Sequence, residues 1–152
     1  MTGTEILQKH PIYPQSGVIP FQIQNNQIEI LLITSINSGR WIFPKGIIEQ
    51  ELTDRESARR EAFEEAGIDG PVLNFLIGEY SYSKWGGTCH VKVFPLYVVK
   101  TFNNWPEADQ RQRRWVSIEE ARSLLNKNEL KDIINNFDRN QQTILEAVNH
   151  LA

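Results

Sequence analysis

From residue 17 onward the chain alternates apolar and polar positions in short runs. Gly17 to Gln24 (GVIPFQIQ) reads as one strand and Gln27 to Ser35 (QIEILLITS) as a second, with Asn25-Asn26 suited to a tight hairpin turn between them. Ile30, Leu31, Leu32 and Ile33 are apolar at four successive positions, which predicts a central strand covered on both faces. Ile36 to Arg40 is a polar loop, and Trp41-Ile42-Phe43 is a short strand running into Pro44-Lys45-Gly46. Farther on, Pro71 to Ser83 and Thr88 to Val99 read as strands joined by a second hairpin at Lys84-Trp85-Gly86-Gly87, and Arg113 to Val116 as a last short one. Residues 1–15, with Pro11 and Pro14, make a loosely specified N-terminal arm.

The helical period appears first after residue 52. Thr53 and Glu56 have the spacing of a capping box, and Gly67 is a natural stop after Ala66. At about 100° per residue, with Glu61 at zero, Glu64 falls near −60° and Glu65 near +40°. Three carboxylates thus share one face, and Ala62, Phe63 and Ala66 form the stripe expected to be buried. Ser117 and Glu120 repeat the capping-box spacing and open a helix through Leu125. Residues 129–152 form a C-terminal helical segment with apolar side chains at Leu130, Ile133, Ile134, Ile144, Leu145, Val148 and Leu151. Strands before, between and after helices around one buried strand predict a single α+β domain over 1–152, a mixed sheet sandwiched between helices.

Composition narrows the function classes. A net charge of −3 gives no global electrostatic case for coating nucleic acid or a membrane surface, so any attraction for phosphate must be local. Cys89 is the single cysteine, so no intrachain disulfide forms, and its place in an alternating stretch predicts a buried thiol. No basic stretch followed by an apolar run opens the chain, and no apolar run approaches the roughly 18 residues of a membrane span. The expected location is cytoplasmic.

Like charges at the spacings of Glu61, Glu64 and Glu65 repel by a few tenths of a kcal/mol per pair. A solvated acidic face is the plain explanation of such a helix. Arg60 beside the cluster, glycines at both ends and the WIFPKG lead-in weigh against it. Hard oxygen donors grouped this way suit Mg²⁺, or Mn²⁺ in its place. Gly46, Arg60, Glu61, Ala62, Glu64, Glu65, Gly67 and Ile68 fall in register with G-x5-E-x7-R-E-U-x-E-E-x-G-U, U being apolar, so the stretch resembles the Nudix box. One position departs: Leu52 stands where the pattern has its first Glu, with Glu51 one residue earlier. The resemblance is tight over 41–68 and looser over 17–125. It implies an α/β/α sandwich of Nudix type. It also implies that Glu61, Glu64 and Glu65 hold the metal, that one of them acts on the attacking water, and that Arg60 orients the carboxylates. The backbone carbonyl of Lys45 would be a further ligand. Family members often recruit another acid from a later loop, which points to Glu107 or Asp109, with Glu51 as the displaced box acid.

Around this cluster Arg40, Lys45, Gly46, Lys84, Lys92, Arg111, Arg113 and Arg114 could form a rim for substrate phosphates, although each alone reads as a surface charge. His10, His90 and His150 match no metal spacing. Trp41, Trp85 and Trp105 could stack a base but are first of all core candidates. The stretches RWIFPKG (40–46) and RRWVSIEEA (113–121) look like those of diphosphoinositol polyphosphate phosphohydrolases and diadenosine polyphosphate hydrolases. That resemblance implies a Mg²⁺-dependent pyrophosphohydrolase acting on a small polyphosphate; the net charge and the lack of a long apolar run set the expectation of no stable nucleic-acid or membrane partner. Two alternatives stay open: a catalytically weakened binding or regulatory module, motivated by Leu52, and a pyrophosphohydrolase of (d)NTPs or RNA 5′ ends.

Overall fold

The computed structural model describes residues 10–151. Its centre is a seven-stranded mixed sheet built from β1 (Ile12–Gln24), β2 (Gln27–Thr34), β3 (Trp41–Ile42), β4 (Lys45–Ile47), β6 (Gly78–Lys84), β7 (Gly87–Tyr97) and β9 (Arg113–Ser117). The spatial order is β3-β2-β1-β7-β6, with β4 paired to the first half of β1 and β9 to β2. Strand β1 runs parallel to β7 from Ile12↔Thr88 to Phe21↔Tyr97 and antiparallel to its other neighbours. A separate two-stranded ribbon joins β5 (Ile68–Asp69) to β8 (Lys100–Thr101).

The apolar run of β2 explains the layering. Ile30 and Leu32 enter one core and Leu31 and Ile33 the other. Helix α1 (Asp54–Ala66) covers one face, its Ala58, Ala62 and Ala66 meeting Val18, Leu31, Ile33 and Leu96. Short alanine side chains let the helix lie close to the sheet. On the other face α2 (Ile118–Leu124), α3 (Asn128–Arg139) and α4 (Gln141–Asn149) bury Ala121, Leu130, Ile133, Ile134, Phe137 and Ile144 against Ile19, Phe21, Val91 and Val93. The architecture is therefore the α/β/α sandwich that the pattern predicts.

Four local readings need correction. Residues 12–15 belong to β1 rather than to an arm, because the strand lies between β4 and β7 and buries Gln15 and Ser16 despite their polarity. Residues 1–9 of the expected arm lie outside the described residues. The segment Pro71 to Ile77 is not regular strand: Val72 makes one bridge to Leu96, and Leu73 and Ile77 donate singly to Pro95 O and Val93 O. The C-terminal helical segment divides at Asn140 into α3 and α4. Finally, Phe63 is half-exposed, edge-on to Phe102, and it is Glu65 that joins the buried side of α1.

The hairpin at Asn25-Asn26 is as expected, with φ of 52° and 63°, the left-handed pair that a two-residue turn between twisted strands requires. Cys89 is fully buried.

Candidate active site

Helix α1 is fixed at both ends. Thr53 accepts the Glu56 N–H and the Glu56 carboxylate takes the Thr53 N–H at 2.8 Å, the reciprocal capping box. At the other end Gly67 turns left-handed at φ 66° and donates to Phe63 O. Arg113 donates to Ala66 O at 2.9 Å, Gly67 O at 3.1 Å and Phe102 O at 2.7 Å. Its guanidinium lies 4.0 Å over the ring of Trp105, whose Nε1–H donates to Glu65 O. Arg113 and Trp105 thus close the carbonyl end of α1: Arg113 is engaged there rather than facing a substrate, and Trp105 packs as the structural residue it was first read to be. A cation at that end also suits the helix dipole.

The acids are set at different depths. Glu65 is 9% exposed; its Oε1 accepts the Lys45 N–H at 3.1 Å and its Oε2 lies 3.3 Å from Arg111 Nη2. The Arg111 side chain is itself buried, and it donates to Glu107 Oε1 at 2.7 Å and Thr34 O at 2.9 Å. Arg111 therefore serves the acid cluster and is not a rim cation. Glu107 joins the cluster, and its N–H also donates to Glu64 O at 3.1 Å. Arg60 bridges Glu64 at 3.5 Å and Glu49 at 2.8 Å. It is Glu49, not the displaced acid Glu51, that reaches the cluster, since Glu51 is exposed and makes no ion pair among the described residues. Asp109 is likewise exposed.

Glu61 makes no hydrogen bond or ion pair among the described residues. Burial first, then the charges of Glu65, Glu64, Glu107 and Glu49, push its carboxyl up to about 7. Burial also pushes Glu65 up to about 7, with Arg111 opposing. The Glu61 carboxylate sits directly over Gly46, where a Cβ would fall 2.2–2.5 Å from its atoms. We expect Gly46→Ala to drive Glu61 off this position and cut turnover at least about tenfold, with a thermal melt little changed. Unaltered kcat in that variant would show that Glu61 need not sit there.

Among the described residues no three acidic, histidine or cysteine side chains are close enough to enclose a metal ion as they stand. The tight convergence of Glu61, Glu64 and Glu65 read from the helical period is not found, because Arg60 draws Glu64 outward while Arg111 draws Glu65 inward. The donor set still fits a hard divalent cation. It consists of carboxylate oxygens, it carries more negative charge than its local cations offset, and the Glu61 carboxylate, lodged in the room that the missing side chain of Gly46 leaves, has no partner among the described residues.

Beside the acids lies a cavity of about 260 Å³, lined by cations (Arg40, Lys45, Lys84, Lys127) and rings (Trp41, Tyr80, Tyr82) among others. Lys45 joins the two regions: its N–H is on Glu65, while its ammonium lies 4.8 Å over the Tyr82 ring. Burial pushes that ammonium below its ordinary range, Glu65 opposing. Tyr80, Tyr82 and Lys127 were missed in the sequence, although the period-2 spacing of Tyr80, Tyr82 and Lys84 would have placed them on one face of a strand. Lys92 and Arg114 are paired instead with Asp54 and Glu120, and so leave the rim. His10, His90 and His150 bond to Thr88, to Ser81 and Glu79, and to Glu146 O, away from the acids.

Comparison with known proteins places these features in a family. A family model described as the NUDIX domain matches residues 14–137. Among curated relatives, Nudix hydrolase 16, mitochondrial, of Arabidopsis thaliana is 36% identical over 124 residues, covering 70% of this chain and 68% of the relative. The asymmetrical bis(5′-nucleosyl)-tetraphosphatase of Sus scrofa is 30% identical over 119 residues, covering 74% of this chain and 80% of the relative. The chain spans 56% to 68% of the length of three plant relatives. A solved C. elegans Ap4A hydrolase complex superposes with a TM-score of 0.71 at 21% identity, covering 86% of this chain and 98% of that one, which establishes the shared fold. No helix among the described residues is long and apolar enough to cross a membrane.

Proposed function

The chain belongs to the Nudix hydrolase family, and from that premise we propose that it splits a phosphoanhydride bond in a small, phosphate-dense substrate with the help of Mg²⁺. The observation that carries this reading is Lys45, a single residue that ties a buried acid to a cavity ringed by four cations. Acids on one side of the β4 loop can serve a cation and a water. Basic groups on the other side can hold the polyanion that must be cut.

The division of labour follows from the charges. Arg40, Lys45, Lys84 and Lys127 offset substrate phosphates locally in a protein whose net charge is negative. Trp41, Tyr80 and Tyr82 supply planar, partly apolar walls and limit water around the phosphates. Glu61, Glu64, Glu65 and the Lys45 carbonyl are the proposed metal ligands. A bound ion would polarise the phosphorus centre and lower the pKa of a coordinated water. Glu61 or Glu65 can take a proton from the attacking water as its oxygen bonds to phosphorus and the bridging oxygen leaves with its electron pair. Arg60 holds Glu64 and Glu49, and Arg111 holds Glu65 and Glu107.

The substrate we favour is a dinucleoside polyphosphate such as diadenosine tetraphosphate, with a diphosphoinositol polyphosphate second. The name of the Sus scrofa relative supports the first, and the four cations in the cavity suit either. We propose a cytoplasmic site of action. Incubation with Mg²⁺ and each of diadenosine tetraphosphate, diphosphoinositol polyphosphate, dNTPs, ADP-sugars and capped RNA, with products identified, tests the reading. Cleavage of a polyphosphate anhydride is the expected result. Binding without cleavage of any of them would instead favour a regulatory module.

Ion binding is readable without turnover. Glu61 and Glu65 titrate near 7 in the folded chain against an ordinary value of 4.5, so the folded state holds more protons than the unfolded one between those values. Their contribution to stability is therefore lost as pH rises from about 4.5 to about 7, and the deficit persists above. A cation bound by the carboxylates relieves that deficit. The rise in melting temperature on adding Mg²⁺ should be clearly larger at pH 8 than at pH 5.5; equal rises would remove these acids as the binding site.

A further inference from the structure

We propose that the tip of the β6–β7 hairpin carries a second subsite, in which the indole of Trp85 stacks the outer base of a dinucleoside polyphosphate whose phosphates lie in the cavity. The proposal rests on the reading of that cavity given above and specifies what recognises the far end of its substrate.

The first observation is a backbone cost borne for an exposed ring. Trp85 is 55% exposed, yet its φ is +55°, followed by Gly86 at +69°. Asparagine fills the corresponding turn between β1 and β2, as left-handed geometry favours. A bulky aromatic there is disfavoured and gains little burial in return.

The indole is nevertheless held in place. Tyr13 meets it at 87° with ring centroids 5.4 Å apart, and the Tyr13 hydroxyl donates to Trp85 O at 3.2 Å. Lys84 Nζ stands 4.6 Å over the indole, and the same lysine lines the cavity. Inward along β6, Tyr82 and Tyr80 stack at 6.3 Å, with Lys45 4.8 Å and Lys127 5.9 Å over Tyr82. Cations and ring faces thus alternate from the cavity out to the hairpin tip along an edge strand.

A ligand that matches this alternation has a planar group at the end of a polyanionic chain. An entering phosphate can draw the Lys84 ammonium off the indole, and the freed ring face takes the base. An inositol-centred polyphosphate has no planar ring to offer. On this proposal a mononucleotide fills the inner cavity and leaves the tip empty.

Isothermal titration without added divalent ion measures this directly, because nothing is cut. Trp85→Asn suits the left-handed turn and should melt no lower than the parent chain; Trp85→Gly is a second replacement with the same tolerance, and Trp85→Phe keeps a ring. Base–aromatic stacking predicts that Kd for diadenosine tetraphosphate rises about tenfold in the Asn and Gly variants and about twofold or less in the Phe variant. Kd for ATP should not change in any of them. The proposal is overturned if the Asn and Gly variants bind diadenosine tetraphosphate as the parent does, if they lose ATP equally, or if the parent does not bind the dinucleotide. A chain that shows the expected selectivity but cleaves nothing with Mg²⁺ would refute the proposed hydrolysis and leave the subsite standing.

Discussion

Replacing Glu65 by Gln should lower kcat at least about a hundredfold, roughly 3 kcal/mol of transition-state stabilisation at 1.4 kcal/mol per tenfold, while leaving the fold intact. The two halves of this prediction come from the same geometry. Glu65 is 9% exposed and accepts the Lys45 N–H through Oε1, a bond that the amide oxygen of glutamine can keep. The other oxygen faces Arg111 at 3.3 Å, where an amide nitrogen would set donor against donor. A charge that burial already pushes up to about 7 is removed at the same time, so the fold loses a mismatched contact but also an unfavourable ionisation. Without added metal the melting temperature of the variant above pH 7 should fall close to that of the parent. Turnover should fail because the carboxylate can neither help hold a cation nor accept a proton. Steady-state kinetics at saturating Mg²⁺ decide the matter, and near-parental kcat there would remove the metal-cluster reading.

Arg111→Met is the second large effect, and it falls on stability. The Arg111 side chain is 9% exposed and holds Glu65, Glu107 and the Thr34 carbonyl with one guanidinium. Removing one member of such a buried group strands the others, at a cost of about 3–5 kcal/mol. Arg111 is the main group opposing the rise of Glu65, so without it the carboxyl stays protonated to still higher pH. Protonation limits the loss at low pH, and urea denaturation should therefore show a smaller deficit at pH 6 than at pH 8. Arg111→Lys should recover only part of it, since an ammonium does not reproduce the fork that meets several acceptors at once. Full stability of the Met variant at pH 8 would mean that the observed ion pairs carry no weight.

Much of the fold is legible locally. Thr53 with Glu56 and Ser117 with Glu120 mark two helix starts, and both capping boxes form as read. Asn25-Asn26 marks a hairpin because few other residues accept two left-handed φ values in succession. The apolar run of β2 gives the layering, because a strand buried on both faces has no polar side to show. The first half of β1 escapes such reading: its polar Gln15 and Ser16 are covered only once β4 and β7 come to lie beside them.

The acid cluster is legible as a spacing but not as a set of depths. The helical period puts Glu61, Glu64 and Glu65 on one side of α1, while the approach of the sheet through three alanines buries Glu65 and leaves Glu64 half-exposed. Among the basic residues the sequence could not separate those facing the cavity from those serving the fold. Arg111 and Arg113 resemble Arg40 and Lys84 in kind, yet Arg111 finds its carbonyl partner 77 residues away and Arg113 closes a helix some 46 residues upstream. By itself, then, the sequence determined the family, the acidic helix and the elements around it, because caps, turns and periodicities are interactions between neighbours along the chain. Only the tertiary structure decided that Lys45 links acid to cavity, that Lys127, Tyr80 and Tyr82 line it, and that the exposed Trp85 ring lies under the Lys84 ammonium. A side chain's free valence depends on which distant atoms reach it first, and that is settled by the packing of the sheet between its helices.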